Sequence, residues 1–307
     1  MTEISPSDNK VFECIKQLLV LVGIFFASSI VGQLIILPLA SGFGMANFEE
    51  VLAEIIKGKY PQMVNPLRIL LSISHAFTFL LPALAFALLY WRGNMRQSLH
   101  LNMPPKISYW AMALLFLVAI LPFTAISHYL NTLIPESLHH QGGQELQQTI
   151  LQMHSPIDLA FNILLVGVMA GVGEELLFRG VLQRIFAFSF RNIHLAVWLT
   201  AILFSLVHLE LQAFVPRVLL GAVFGYLYYW SGSLLVPIIL HFLYNSVQVV
   251  AVYSSPQMIN EKAVAPEMTT YIIAAVGLVV FFFVARWFAA NQSEAQRNAY
   301  FQNPKTE

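Results

Sequence analysis

Three short patterns hold most of this chain's capacity for chemistry: Glu174 and Glu175 with Arg179, Phe204 with His208, and His241 with Asn245. A carboxylate can take a proton from water, an imidazole can hold that water, and imidazole or amide N–H groups can meet the negative charge that develops on a carbonyl oxygen. Together they read as the parts of one hydrolytic site. Glu175 and Arg179 lie four apart with the carboxylate N-terminal, the better order for a helical ion pair. That pairing leaves Glu174, about 100° further round an α-helix, with no local cation, and a carboxylate in apolar, partly desolvated surroundings is suited to act as a general base. His241 and Asn245, also four apart, project from one face. A structural role fits the same residues: a charge cluster at a helix end for Glu175 and Arg179, interhelical polar clamps for the others.

These groups are conspicuous because the chain around them is so apolar. Of its 307 residues 58% are apolar and 10% charged, with a mean hydropathy of +0.69, far from the roughly 25% charge of soluble domains. The 16 basic and 16 acidic residues cancel, which removes the electrostatic footprint of a nucleic-acid binder. A lone Cys14 can form neither an intramolecular disulfide nor a zinc–thiolate cluster, so a metal would have to be held by His, Glu or Asn.

Runs long enough to cross a bilayer, about 20 residues each, recur at 12–40, 67–91, 108–130, 157–178, 194–209, 214–230, 233–253 and 269–290. The expected fold is therefore all-α and polytopic, about eight transmembrane helices. The first run exceeds the h-region of a signal peptide and is read as a retained span. Residues 1–150 form the N-terminal helices, 151–255 the catalytic core, and 256–307 the last helix with a short polar tail. Within 47–59, Phe48, Val51, Leu52, Ile55 and Ile56 recur at helical spacing after a capping Asn47, predicting an amphipathic helix on the membrane surface. Residues 131–156 read as a solvated Gln-rich loop with a Gly142-Gly143 break, its His139 and His140 lacking the surroundings of a metal site.

With the N-terminus inside, Lys10, Lys16, Arg92, Arg96, Lys106, Arg179, Arg184, Arg191, Arg286, Arg297 and Lys305 fall on the inner side. Lys57, Lys59, Arg68, Arg217 and Lys262 fall on the outer. Eleven against five places both termini in the cytoplasm, and the plasma membrane is the expected location. If the chain turns near Arg191, Glu174 and His208 are each 17 residues from the turn and stand level on antiparallel neighbours. His241 does not fall level so simply: a gap of roughly 15 Å at 1.5 Å per residue has to be closed by a tilted or sunken connection between Glu210 and Pro216.

The three patterns, in this order and rough spacing, resemble the CPBP family of CAAX proteases and bacteriocin-processing or self-immunity enzymes, also called the Abi family, over about residues 155–255. The resemblance implies an eight-helix intramembrane endopeptidase with an active-site cavity inside the bilayer. Glu174 would activate a water that His208 helps hold, His241 and Asn245 would stabilise the oxyanion, and Glu175 with Arg179 would brace the motif. Family members are commonly called metalloproteases, and the ligand set would then be Glu174, His208 and His241 around zinc; metal-free water activation by glutamate is the other reading, and the one we favour. The substrate would be a peptide or membrane protein, with a lipidated C-terminal tail as the type II CAAX case. A non-catalytic peptide-binding or self-immunity protein would keep the same residues. A proton-coupled transporter would show repeated halves, and the sequence has no internal repeat.

Overall fold

All eight apolar runs fold as helices, since only a helix satisfies its own backbone where no water can. The computed structural model describes residues 6–92, 95–101, 106–131, 141–259 and 265–302, and no strand occurs among them. Six helices are long and apolar enough to cross a membrane. These are α1 (Pro6–Gly42), α3 (Pro61–Trp91), α4 (Ile107–Asn131), α6 (Pro156–Phe190), α9 (Leu235–Ser254) and α10 (Met268–Asn291). The chain is thus a polytopic all-α membrane protein.

The other two runs, α7 (Ile193–Leu206) and α8 (Phe214–Ser231), form a hairpin. With 14 residues, α7 rises only about 21 Å of a hydrocarbon core about 30 Å thick. Helix α8 carries Arg217 in its first turn and buries Leu220 to Gly225, Leu227 and Tyr228 inside the bundle. Since the hairpin returns to the side it left, a shallow tip does not alter the orientation of the spans that follow.

One end of the bundle is capped by α2 (Phe48–Ile56) and α5 (Gln141–Leu151). Ile55 of α2 joins Ile36 and Ala40 of α1 and Leu67 and Leu70 of α3 in one buried cluster, so the amphipathic helix also covers neighbouring spans. Asn47 does not cap it; the side chain instead donates to Glu50, 3.3 Å away. The expected Gln-rich loop is corrected over 141–151, where α5 runs through the predicted Gly142-Gly143 break. Its Leu146 and Ile150, four apart, pack on the α2 cluster. Buried Arg68 then closes the helix end, donating to the carbonyls of Ile150 (2.7 Å) and Gln152 (2.6 Å). Arg68, read as an outer-surface cation, is thus an interior tie that also meets Asp158 at 3.1 Å. His139 and His140 lie outside the described residues.

The opposite end holds the turn between α6 and α7 and the last described helix, α11 (Glu294–Tyr300). There the tail is more than a polar extension: Tyr300 is buried against Gln183 and Tyr228, and Arg191 donates to the carbonyl of Phe301 at 2.7 Å.

Candidate active site

Glu174 sits near the middle of the 35-residue α6, where two i→i+5 stretches, Ile163–Glu174 and Leu176–Gln183, replace the ordinary α turn. Such wide turns are uncommon and concentrate at functional sites. Here they turn both Glu174 and Glu175 into the bundle, and both are buried.

Glu175 is the structural half of the pair. Arg179 Nη1 donates to its Oε1 at 2.7 Å and His241 Nδ1 donates to the same oxygen at 2.8 Å. The second arm of Arg179 donates to the carbonyl of Gly221 (3.0 Å), and the guanidinium lies 4.5 Å from the ring centre of Phe204. Two charges buried this deeply need both mutual pairing and hydrogen bonds to be tolerated. One clamp therefore ties α6, α8 and α9 together.

Glu174 faces the reactive groups. His208 Nε2 lies 3.8 Å from its Oε1, and His241 Nε2 lies 3.9 Å from its Oε2. The ring nitrogen orientations follow from the partners: Nδ1 of His208 donates to the carbonyl of Phe204 at 2.8 Å, and Nδ1 of His241 is held by the Glu175 carboxylate, so each ring turns Nε2 toward Glu174. Glu174 and His208 stand level as their equal distance from the Arg191 turn requires. The gap to His241 is closed by a folded-back connection. Helix α7 stops at Leu206, Leu209 takes a left-handed conformation (φ 55°), and Ser205 Oγ donates to the carbonyl of Phe214 at 2.9 Å.

Asn245 lies one turn beyond His241 and donates to the carbonyl of Val166 at 2.8 Å. That bond uses one of its two amide hydrogens. Helices α6 and α9 approach so closely here that a Cβ on Gly171 would stand 3.0 Å from the backbone nitrogen of Phe242. The three motif helices, α6, α7 and α9, therefore meet at one point.

A further contact comes from outside the motifs. His75 of α3 donates from Nε2 to Glu174 Oε1 at 3.0 Å, the shortest contact Glu174 makes with these three histidines. Residues 1–150 thus bring more than spans to the site. A single histidine in an apolar run offers no spacing signal to find it by.

The site opens into a cavity of about 490 Å³ lined by Glu174, His208, His241 and Asn245 and, toward the α5 end, by Gln144, Gln147, Glu210, Arg217 and Gln248. Glu210 and Arg217 pair across the α7–α8 tip at 2.6 Å. Glu174, His208 and His241, the zinc ligands that the resemblance implies, line this one cavity, while among the described residues no three His, Cys, Asp or Glu side chains stand grouped as a metal site. The steps below are accordingly derived for the protein's own groups.

Residues 156–247 match the family model described as type II CAAX prenyl endopeptidase Rce1-like. The uncharacterized protein YpbD of Bacillus subtilis (strain 168) is 28% identical over 117 residues, which make up 37% of this chain and 54% of that protein. The chain thus spans about half the length of that relative. No solved structure matches. The matched segment contains every residue of the three motifs, and over it the resemblance to the CAAX proteases holds at the level of the family.

Proposed function

We propose that the chain is an intramembrane endopeptidase in which Glu174 activates a water for attack on a peptide carbonyl. The observation that carries this reading is the convergence of His208 Nε2 and His241 Nε2 on one buried carboxylate beside a cavity that reaches the surface. Glu174 and the Nε2 lone pair of His208 are two acceptors 3.8 Å apart, a pairing that suits a water donating one hydrogen to each. Glu174 takes a proton as the water oxygen bonds to the carbonyl carbon, and the carbonyl oxygen becomes an oxyanion. The remaining N–H of Asn245 and the Nε2–H of a protonated His241 meet that charge. Protonated His241 also makes the buried charges cancel, with Glu174 and Glu175 opposed by Arg179 and His241. Glu174 then passes its proton to the amine nitrogen as the C–N bond breaks, leaving a carboxyl and an amine terminus.

The cavity leads toward α5, the end of the bundle opposite α11 and the first turn of α1. Setting aside the buried Arg179, Arg184 and Arg68 leaves nine basic residues on the inner side and four on the outer, which supports cytoplasmic termini in the plasma membrane. In that orientation the mouth faces outward. A lipidated tail of a cytoplasmic protein would arrive from the other side, so we read the substrate as a peptide or membrane-protein segment presented from the outer face, whose backbone meets the glutamines of the mouth. The test compares N- and C-terminal fragments of the membrane proteome in cells carrying the wild-type chain and Glu174→Ala. Fragments that depend on Glu174 and derive from outward-facing segments are expected; cleavage confined to cytoplasmic tails overturns the substrate side, and an unchanged fragment set overturns the proteolytic reading.

A further inference from the structure

We infer that His75 is a positioning residue for the reaction, holding Glu174 Oε1 in its place opposite His208 Nε2 so that its second lone pair can take the proton from the water between them. The inference rests on the proteolytic reading above and concerns a residue outside the segment matched to the CAAX-protease family.

His75 ends the α-helical part of α3, and the next five residues, Ala76–Leu80, adopt the same wide i→i+5 turn that carries Glu174 in α6. The two irregular stretches face each other, and the His75–Glu174 bond joins them at 3.0 Å. Three features hold the ring in this pose. It packs on Phe79 with centroids 4.5 Å apart. Gly173 leaves room for it, since a Cβ there would stand 3.3 Å from His75 Cε1. The wide turn after it is fastened to α1, where Ser28 Oγ donates to the carbonyl of Phe77 at 2.6 Å.

The proton's place on the ring follows from what surrounds it. Nδ1 is buried and has no hydrogen-bond partner among the described residues, so a proton there would be an unpaired buried donor, a costly state. The tautomer that fits carries its hydrogen on Nε2 and gives it to Glu174. His75 is therefore a donor, whereas His208 presents a lone pair to the same carboxylate. The other charged or titratable groups around Glu174, namely His208, His241, Glu175 and Arg179, each have a hydrogen-bond partner other than Glu174. A carboxylate gripped at Oε1 by a fixed N–H cannot swing between its histidines, and a misplacement of about 1 Å in a reacting group can cost about 10²-fold in rate.

Two measurements on the full chain in detergent or lipid test this. The first is cleavage of a peptide substrate by His75→Leu, which fills the space against Phe79 without a donor, and by His75→Gln, which restores one. His75→Leu is expected to lower kcat about 10- to 100-fold with KM changed less than about threefold, and His75→Gln to recover most of the loss. Wild-type kcat in His75→Leu, or equal loss in both variants, overturns the positioning role. The second is the ¹⁵N spectrum of histidine-labelled protein without substrate, with the His75 signals assigned by their loss in His75→Leu. The Nε2–H form, displaced by Glu174→Ala, is expected. The Nδ1–H form, or signals indifferent to Glu174→Ala, overturns the inference. Because this second arm needs no turnover, a wild-type protein that cleaves nothing while the spectrum shows the bond would refute the proteolytic reading and with it the role assigned to His75 in catalysis.

Discussion

Changing Glu175 to Gln removes one negative charge from the clamp while keeping its shape, and the cost can be worked from its contacts. Glu175 Oε1 accepts from Arg179 at 2.7 Å and from His241 at 2.8 Å. A glutamine oxygen in that place still accepts both bonds, but each loses the acceptor's negative charge, at about 1 kcal/mol apiece. The new amide nitrogen takes the place of Oε2, which has no hydrogen-bond partner among the described residues, and an unpaired buried donor costs about 1–3 kcal/mol more. Together these give about 3–5 kcal/mol, the range for breaking one side of a buried ion pair. Unfolding in mixed micelles, followed by tryptophan fluorescence, would measure it. Replacing both partners by apolar residues, Glu175→Leu with Arg179→Met, should recover part of that stability, because the Arg179 charge is removed with its partner and only the His241 Nδ1 donor is left unpaired. Cleavage should stay lost, since His241 Nδ1 no longer has an acceptor. The reasoning fails if Glu175→Gln unfolds within about 1 kcal/mol of wild type, or if the double variant is no more stable than the worse single one.

Gly171→Ala tests the approach of α6 and α9. The added methyl would stand 3.0 Å from Phe242 N and 3.1 Å from its Cα, so α9 must retreat by a few tenths of an ångström, at about 1–3 kcal/mol. Because His241 and Asn245 ride on α9, activity should fall several-fold with KM changing less than kcat; an unchanged rate would show that their distance from Glu174 is not critical. A pH dependence comes from His100, outside the spans. Burial, and then nearby Arg184, hold its ring well below the ordinary value of 6.5. The unfolded chain therefore binds this proton first as the pH falls. Stability is present above about pH 6.5 and drops by up to about 1.4 kcal/mol per unit below it, until the folded ring also protonates. Acid denaturation of His100→Phe should show a shallower slope between pH 6.5 and 5, and an unchanged slope would remove His100 as its cause.

What the sequence revealed was what local periodicity and chain distance can encode. Glu174 and His208 could be set level because a helical hairpin converts residue count into height, and the Glu175–Arg179 pair because four residues make one turn. The correction over 141–151 has the opposite origin. Helix α5 is polar along most of its length and held by Arg68, 82 residues away, a contact no local pattern contains. Arg68 was placed at the surface for the same reason: charge alone does not distinguish an interfacial cation from one that caps a neighbour's carbonyls. His75 went unnoticed because its meaning depends on a partner 99 residues along the chain. The wide turns of α3 and α6 likewise leave no mark in hydropathy, although they turn the site inward. The two runs that form the α7–α8 hairpin are apolar enough to suggest crossings, but α7 has only 14 residues and α8 spends much of its apolar surface inside the bundle.

The most direct test of water activation by Glu174 is single-turnover cleavage by purified protein reconstituted in lipid vesicles, comparing wild type with Glu174→Gln. Both proteins would first be matched in unfolding and in binding of the same peptide, and each would be measured with and without a chelator. The account predicts that the wild type cleaves equally in both conditions, and that Glu174→Gln binds the peptide but loses at least about 10²-fold in rate, the least that general-base catalysis contributes. Cleavage by Glu174→Gln at the wild-type rate would contradict it, as would wild-type cleavage abolished by the chelator and restored by zinc.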